Sequence, residues 1–204
     1  GHGFGDVSAF VFASSVPQLA AEYTAMSAAR LGCPALAVGP GVRTGVVLRV
    51  DNPHEVGPDR VANAAAAFAR HGGPCVVVDF GTAINFDAVS AAGEFVGGAI
   101  APGLQVSVDA LRDRAARLQK VELRAPERAI GTNTDTNMQS GAVFGCAGQV
   151  DGLVRRFRAE LGGEPTVIAT GGMAGLVAPH CETVQHVEPF LTLEGLRLIW
   201  DRNA

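Results

Sequence analysis

Short apolar runs that suit buried strands alternate along this chain with longer stretches whose apolar positions recur at helical spacing. Residues 9–13 read as a short strand, and Ser14-Ser15-Val16-Pro17 opens a helix that runs to about Leu31. Residues 36–38 form a second strand, followed by a Gly/Pro-rich loop over 39–45. The alanine-rich stretch 59–70 predicts a helix, because alanine is the strongest helix former. His71-Gly72-Gly73-Pro74 then ends it and marks the best candidate domain boundary.

Beyond that break, residues 75–79, 84–90 and 95–100 read as three strands, and their close spacing predicts antiparallel hairpins. Leu104, Val108, Leu111, Ala115 and Leu118 mark an amphipathic helix, and a longer one carries Val143, Ala147, Val150, Val154, Phe157 and Leu161 along one stripe. Gly141, Gly145, Gly148 and Gly152 repeat on its adjoining face. Each would destabilise an isolated helix by about 1 kcal/mol relative to alanine. A close neighbour is therefore expected there: a helix or sheet of the same chain, a nucleotide, or another subunit. Residues 166–169 give the last strand and 193–200 a closing helix, so the pattern is α/β.

Composition narrows the function classes. The 204 residues are 48% hydrophobic, enough for a substantial core in one or two domains. A net charge of -4 without a lysine or arginine run argues against a nucleic-acid partner. No apolar run approaches the roughly 20 residues of a membrane span, and the start has no charged-then-apolar leader pattern. Cys33, Cys75, Cys146 and Cys181 lack paired spacing, which fits a reducing cytoplasm better than a disulfide framework or a zinc knuckle.

The candidate chemistry begins at VVVDFGTA, residues 76–83. A carboxylate closing a buried run is costly unless a cation, a donor or water meets it. In the turn that follows, Gly81 would let backbone N–H groups approach an oxyanion, and Thr82 can donate a hydroxyl hydrogen bond. Asp79 suits a hard cation accompanying phosphates. An ordinary tight turn is the plainer alternative.

Longer strings add to this: DNPHEVGPDRVANA (51–64), VVDFGTAINFD (77–87), GEFVGGAIAPGLQVSVDAL (93–111), IGTNTDTNMQSGAVFG (130–145), IATGGMAGL (168–176) and LTLEGLRLI (191–199). In these, and in their order, the chain resembles the type III pantothenate kinases. The resemblance implies ribonuclease H-like, actin-like ATPase domains and phosphoryl transfer from ATP to pantothenate at the start of coenzyme A synthesis. It also implies Mg²⁺, a monovalent cation (K⁺ or NH₄⁺) and a cytoplasmic homodimer. By that resemblance Asp59 is the base, Gly57, Arg60, Gly98 and Thr134 join it around pantothenate, with Thr134 reaching across the dimer. Gly81 and Thr82 meet the phosphates, Thr170, Gly171 and Gly172 border the adenosine, and Asp79 faces the monovalent cation. The plainer readings are helix caps for Asp59 and Thr134, and turn geometry for Gly98 and for Thr170-Gly171-Gly172.

The family's opening Asp-x-Gly-Asn-Thr loop has no counterpart here. Residues 1–58 are thus expected to be the remainder of a first actin-like half, with 59–204 the second, and ATP is expected to bind this chain weakly. Two other classes stay open: a non-catalytic regulatory or accessory protein of the same fold, and a sugar or acetate kinase. The G-x-D-R and GGxIxPG strings weigh against the sugar and acetate kinases.

Overall fold

The computed structural model describes residues 3–115, 118 and 120–204. Strand β1 (Phe10–Ala13) pairs in parallel with β2 (Ala35–Val38), Phe10 opposite Ala35. Between them runs helix α1 (Pro17–Met26), extended by a π-type turn over Ser27–Leu31. Gly32 stops it at φ 65, a left-handed conformation that glycine adopts without a Cβ penalty. The Ser14 hydroxyl ties back locally, accepting from the Val16 N–H at 3.1 Å, so the helix starts at Pro17 rather than at the serines.

Helix α2 (Pro58–His71) leads into a five-stranded sheet of order β5-β4-β3-β6-β7. Its strands are β3 (Cys75–Phe80), β4 (Ala83–Val89), β5 (Phe95–Pro102), β6 (Thr166–Thr170) and β7 (His186–Val187). The first three form the antiparallel hairpins that their spacing predicts, while β6 and β7 run parallel to β3. The result is a mixed sheet with flanking helices, the α/β arrangement that the alternating pattern predicts.

Both faces of β3 are covered, which is why it reads as an unbroken apolar run. Val76, Val78 and Phe80 join Ile84, Phe86, Val167 and Ala169 in one core. That core packs under Cys146, Ala147, Val150 and Val154 of helix α4 (Thr134–Leu161). On the other face, Cys75, Val77, Val89 and Ile168 meet Ala64 and Ala67 of α2 and Leu191, the first residue of α6 (Leu191–Asp201). Alternation puts Asp79 on the Cys75–Val77 face and Asp87 on the Val89 face. Both carboxylates therefore point toward α2.

Helix α3 (Leu104–Arg114) is shorter than its apolar periodicity predicts. Ala115 turns extended, at φ -117, and Leu118 packs beside the hydrophobic cluster of Val108, Val121 and Met138 instead of continuing the helix. Helix α5 (Ala174–Val177) and β7 are too short to leave a periodic signal. The close neighbour expected over the α4 glycines is absent within the described residues: a Cβ on Gly141, Gly145 or Gly148 would meet nothing within 4 Å. No described helix is long and apolar enough to cross a membrane.

Candidate active site

Helix α2 starts with Gly57 as its N-cap and Pro58 in the first turn, where a missing N–H costs nothing. Asp59 is therefore not the cap that its position suggested. It is exposed, and its Oδ1 accepts from the Arg60 N–H at 2.9 Å. A Cβ on Gly57 would stand 2.5 Å from that oxygen, so the bare glycine leaves room for the carboxylate to fold back. Asp59 borders a 320 Å³ cleft with Ser14, Ser15 and Tyr23.

Arg60 turns the other way, onto the sheet. Its Nε and Nη2 donate to Asp87 Oδ1 at 2.8 and 2.5 Å, and its guanidinium lies 5.3 Å from the centre of the Phe95 ring. Gly98 is opposite Asp87 in the strand register, and a Cβ there would come within 3.3 Å of Arg60 Nη2. One turn along α2, buried Asn63 donates to Asp79 Oδ2 at 2.9 Å and accepts from the Thr192 hydroxyl of α6 at 2.7 Å.

The neighbouring parallel strands β3 and β6 end together, Asp79 opposite Thr170. The exposed Gly81-Thr82 turn follows β3, and Gly171-Gly172 follows β6. The Gly81 N–H donates to the Ala83 carbonyl at 2.9 Å, so that donor is engaged within the turn. Thr170 is buried, its hydroxyl given to the Glu188 carbonyl at 2.7 Å. Gly171, at φ +90, lies so close to Asp79 that a Cβ would stand 2.5 Å from Oδ1. Gly172 faces open space.

These groups form one electrostatic unit. Burial raises the Asp79 pKa, against the Asn63 hydrogen bond and with help from the Asp59 charge. Burial likewise pushes Asp87 up to about 6, opposed by Arg60 and assisted by Asp79 and Asp59. Burial also pushes the Cys75 thiol up to about 12, Cys146 to about 11 and Cys181 to about 12, so none of these is a ready nucleophile.

Thr134 stands apart. It follows the true N-cap of α4, Asn133, whose side chain accepts from the Thr136 N–H at 2.9 Å. It lines an apolar cavity of about 740 Å³ between α3 and α4, with Met138, Gly141 and Gly145, and shares no described cavity with Asp59.

Among the described residues no three histidine, cysteine or carboxylate side chains gather to hold a metal. Asp79 Oδ1 accepts no hydrogen bond from them, since only Oδ2 is engaged by Asn63. A single carboxylate of this kind fits Mg²⁺, which commonly takes one or two protein carboxylates and completes its shell with phosphate oxygens and water.

The family model for type III pantothenate kinase matches residues 2–156. The chain belongs to that family. It is 50% identical over 199 residues to the type III pantothenate kinase of Moorella thermoacetica, covering 98% of this chain and 78% of the relative. To the one from Thermobifida fusca it is 53% identical over 204 residues, covering 98% and 79%. Among solved structures, a conserved Campylobacter jejuni protein assigned to the Baf family of transcriptional activators superposes with a TM-score of 0.68. That match covers 97% of this chain and 84% of the other, and at 18% identity it speaks for the fold alone.

In this type III pantothenate kinase, three polar residues to which the sequence gives no role join the candidate site: Asn63, Asp87 and Thr192. Asn63 has one signal, a lone amide in an alanine run. Asp87 resembles the solvent face of an alternating strand, and the only signal for Thr192 is its place inside the family-like string LTLEGLRLI.

Proposed function

We propose that the protein transfers the γ-phosphoryl group of ATP to the primary hydroxyl of pantothenate, giving 4'-phosphopantothenate for coenzyme A synthesis. Membership of the family supports the reaction. One observation carries the site assignment: α2 carries Asp59, whose charge acts on Asp79, Arg60, which reaches Asp87, and Asn63, which holds Asp79 where β3 ends against Gly171. Nucleotide phosphates and acceptor alcohol would thus meet at one rim of the sheet.

Phosphoryl transfer asks the protein mainly for positioning and charge neutralisation. Asp59 orients the pantothenate hydroxyl and accepts its proton. Arg60 offers charge-assisted donors to pantothenate oxygens, with Gly57 and Gly98 leaving room around the two side chains. The Gly81-Thr82 turn faces the phosphates, and Thr170, Gly171 and Gly172 border the adenosine. Asp79 would hold the cations that accompany ATP, Mg²⁺ and a monovalent K⁺ or NH₄⁺, which neutralise phosphate charge when bound.

We assign the active form as a cytoplasmic homodimer. The open glycine face of α4 and the separation of Thr134 from Asp59 support it, since a partner would cover the first and bring its own Thr134 to the pantothenate site. We also assign residues 1–58 to a first actin-like half and 59–204 to a second.

Asp59→Asn tests the reaction. Asparagine keeps an oxygen for the Arg60 N–H but loses the basic carboxylate. Turnover should fall by at least about 100-fold, in the range of general-base contributions, with the melting temperature within a few degrees of the parent. Unchanged turnover would remove Asp59 as the base.

A further inference from the structure

We infer that Asp87 is a positioning residue for pantothenate binding: it holds the Arg60 guanidinium flat against the sheet, presents Nη1 to the substrate, and keeps that cation from closing on Asp59. This rests on the assignment of Arg60 to pantothenate.

The guanidinium has five N–H donors in a planar fork. Two of its nitrogens, Nε and Nη2, converge on a single oxygen, Asp87 Oδ1. The Phe95 ring and the bare backbone of Gly98 border the same group. The Nη1 end has no hydrogen-bond partner among the described residues, although the Arg60 side chain is only 14% exposed. An arginine with one edge fixed and the other edge free is arranged to meet an oxygen acceptor.

Arg60 has a choice of anions. Asp59 is its neighbour in sequence, and both Asp59 and Asp79 lie close enough for their charges to act on Asp87. The fully buried carboxylate takes the cation, because two charge-assisted bonds in a site of low dielectric outweigh pairing in the exposed cleft. Without Asp87, the carboxylates whose charges act at this spot are Asp59 and Asp79. A cation resting on Asp59 would leave the substrate unheld and the base quenched.

A double-mutant cycle tests this, with steady-state kinetics and pantothenate calorimetry on the protein. Asp87→Asn should raise the pantothenate KM by at least about tenfold, the scale of one charge-assisted hydrogen bond, and lower kcat, while the ATP KM stays within about twofold. In an Arg60→Ala background the same substitution should change neither pantothenate parameter by more than about twofold, because the residue through which it acts is gone. If Arg60→Ala leaves pantothenate binding intact, the assignment of Arg60 falls and the inference with it. If Arg60→Ala weakens binding but Asp87→Asn does not, only the inference falls. Full additivity of the two effects would overturn it as well.

Should Asp87→Asn not fold, NMR of the unaltered protein gives an independent result. The Arg60 Nε–H, held by a buried carboxylate, should exchange slowly with solvent both with and without pantothenate. Loss of that protection on adding pantothenate would mean that Arg60 leaves Asp87 to bind, and would overturn the inference.

Discussion

Gly195 of α6 crosses Ala62 of α2 backbone against backbone, so tightly that a Cβ on Gly195 would overlap the Ala62 carbonyl. That crossing lets Thr192, one turn earlier on α6, reach Asn63, the residue after Ala62, and Asn63 in turn holds Asp79. A helix contact remote from the chemistry thus fixes the carboxylate assigned to the cations. Gly195→Ala should force the helices apart and cost about 3 kcal/mol, the upper part of the usual overpacking range. For a chain of this size that is a fall of roughly 6–12 °C in melting temperature, readable by calorimetry. A melting temperature unchanged within about 2 °C would show that the crossing can relax freely.

Gly171 and Gly172 separate a structural need for glycine from a ligand's need. At Gly171 the backbone is left-handed and a side chain would strike Asp79 and Phe80. Gly171→Ala should therefore lose about 1–3 kcal/mol of stability and weaken ATP binding through the displaced Asp79. At Gly172 a Cβ would meet nothing, so Gly172→Ala should leave stability within about 0.5 kcal/mol and weaken ATP binding only if the nucleotide lies against that backbone. ATP calorimetry on the second variant decides the point, and unchanged affinity would remove Gly172 from the nucleotide site.

The hairpins and the Gly81-Thr82 turn after Asp79 are legible in the sequence because their determinants are local: an apolar run, a glycine and a short spacing. The network behind them is not. Thr192 and Asn63 are 129 residues apart, and nothing near either one announces the partner. Asp87 alternates with Ile84, Phe86 and Ala88 in the way a solvent-facing residue would, yet α2 covers that face and Arg60 matches the charge. Glycines show the same limit. Gly195 and Gly145 both look like weak points in a helix, but one is packed against a carbonyl and the other faces open space.

Asp87 should leave a signature in the pH dependence of stability. Its folded-state pKa is raised by burial to about 6, against an unfolded value of about 3.9. Between those values the folded protein binds more protons than the unfolded chain. The stability this group contributes is therefore fully present below about pH 4 and lost as the pH rises through about 6. Asp79, also raised by burial, acts with the same sign. In denaturant titrations, the stability of the parent relative to Asp87→Asn should be greater at about pH 4.5 than at about pH 7. The opposite trend would mean that pairing with Arg60 outweighs burial.

The open face of α4 carries the assignment of a homodimer, and Gly145 is the place to test it. Its missing side chain faces solvent within one chain, in the cavity that Thr134 also lines. In the isolated chain a Cβ at Gly145 meets nothing within 4 Å and opens onto an apolar cavity, and leucine favours helix over glycine by roughly 0.5–1 kcal/mol. A monomer would therefore keep or gain stability. If a partner packs closely there, the added side chain has no space, and light scattering should report monomers with the helical signal in circular dichroism largely intact. Pantothenate turnover should fall at the same time, because the Thr134 assigned to each site comes from the other subunit. A dimer that survives with unchanged mass would place the interface elsewhere. Monomers with full turnover would keep the interface but end the role given to Thr134 across it.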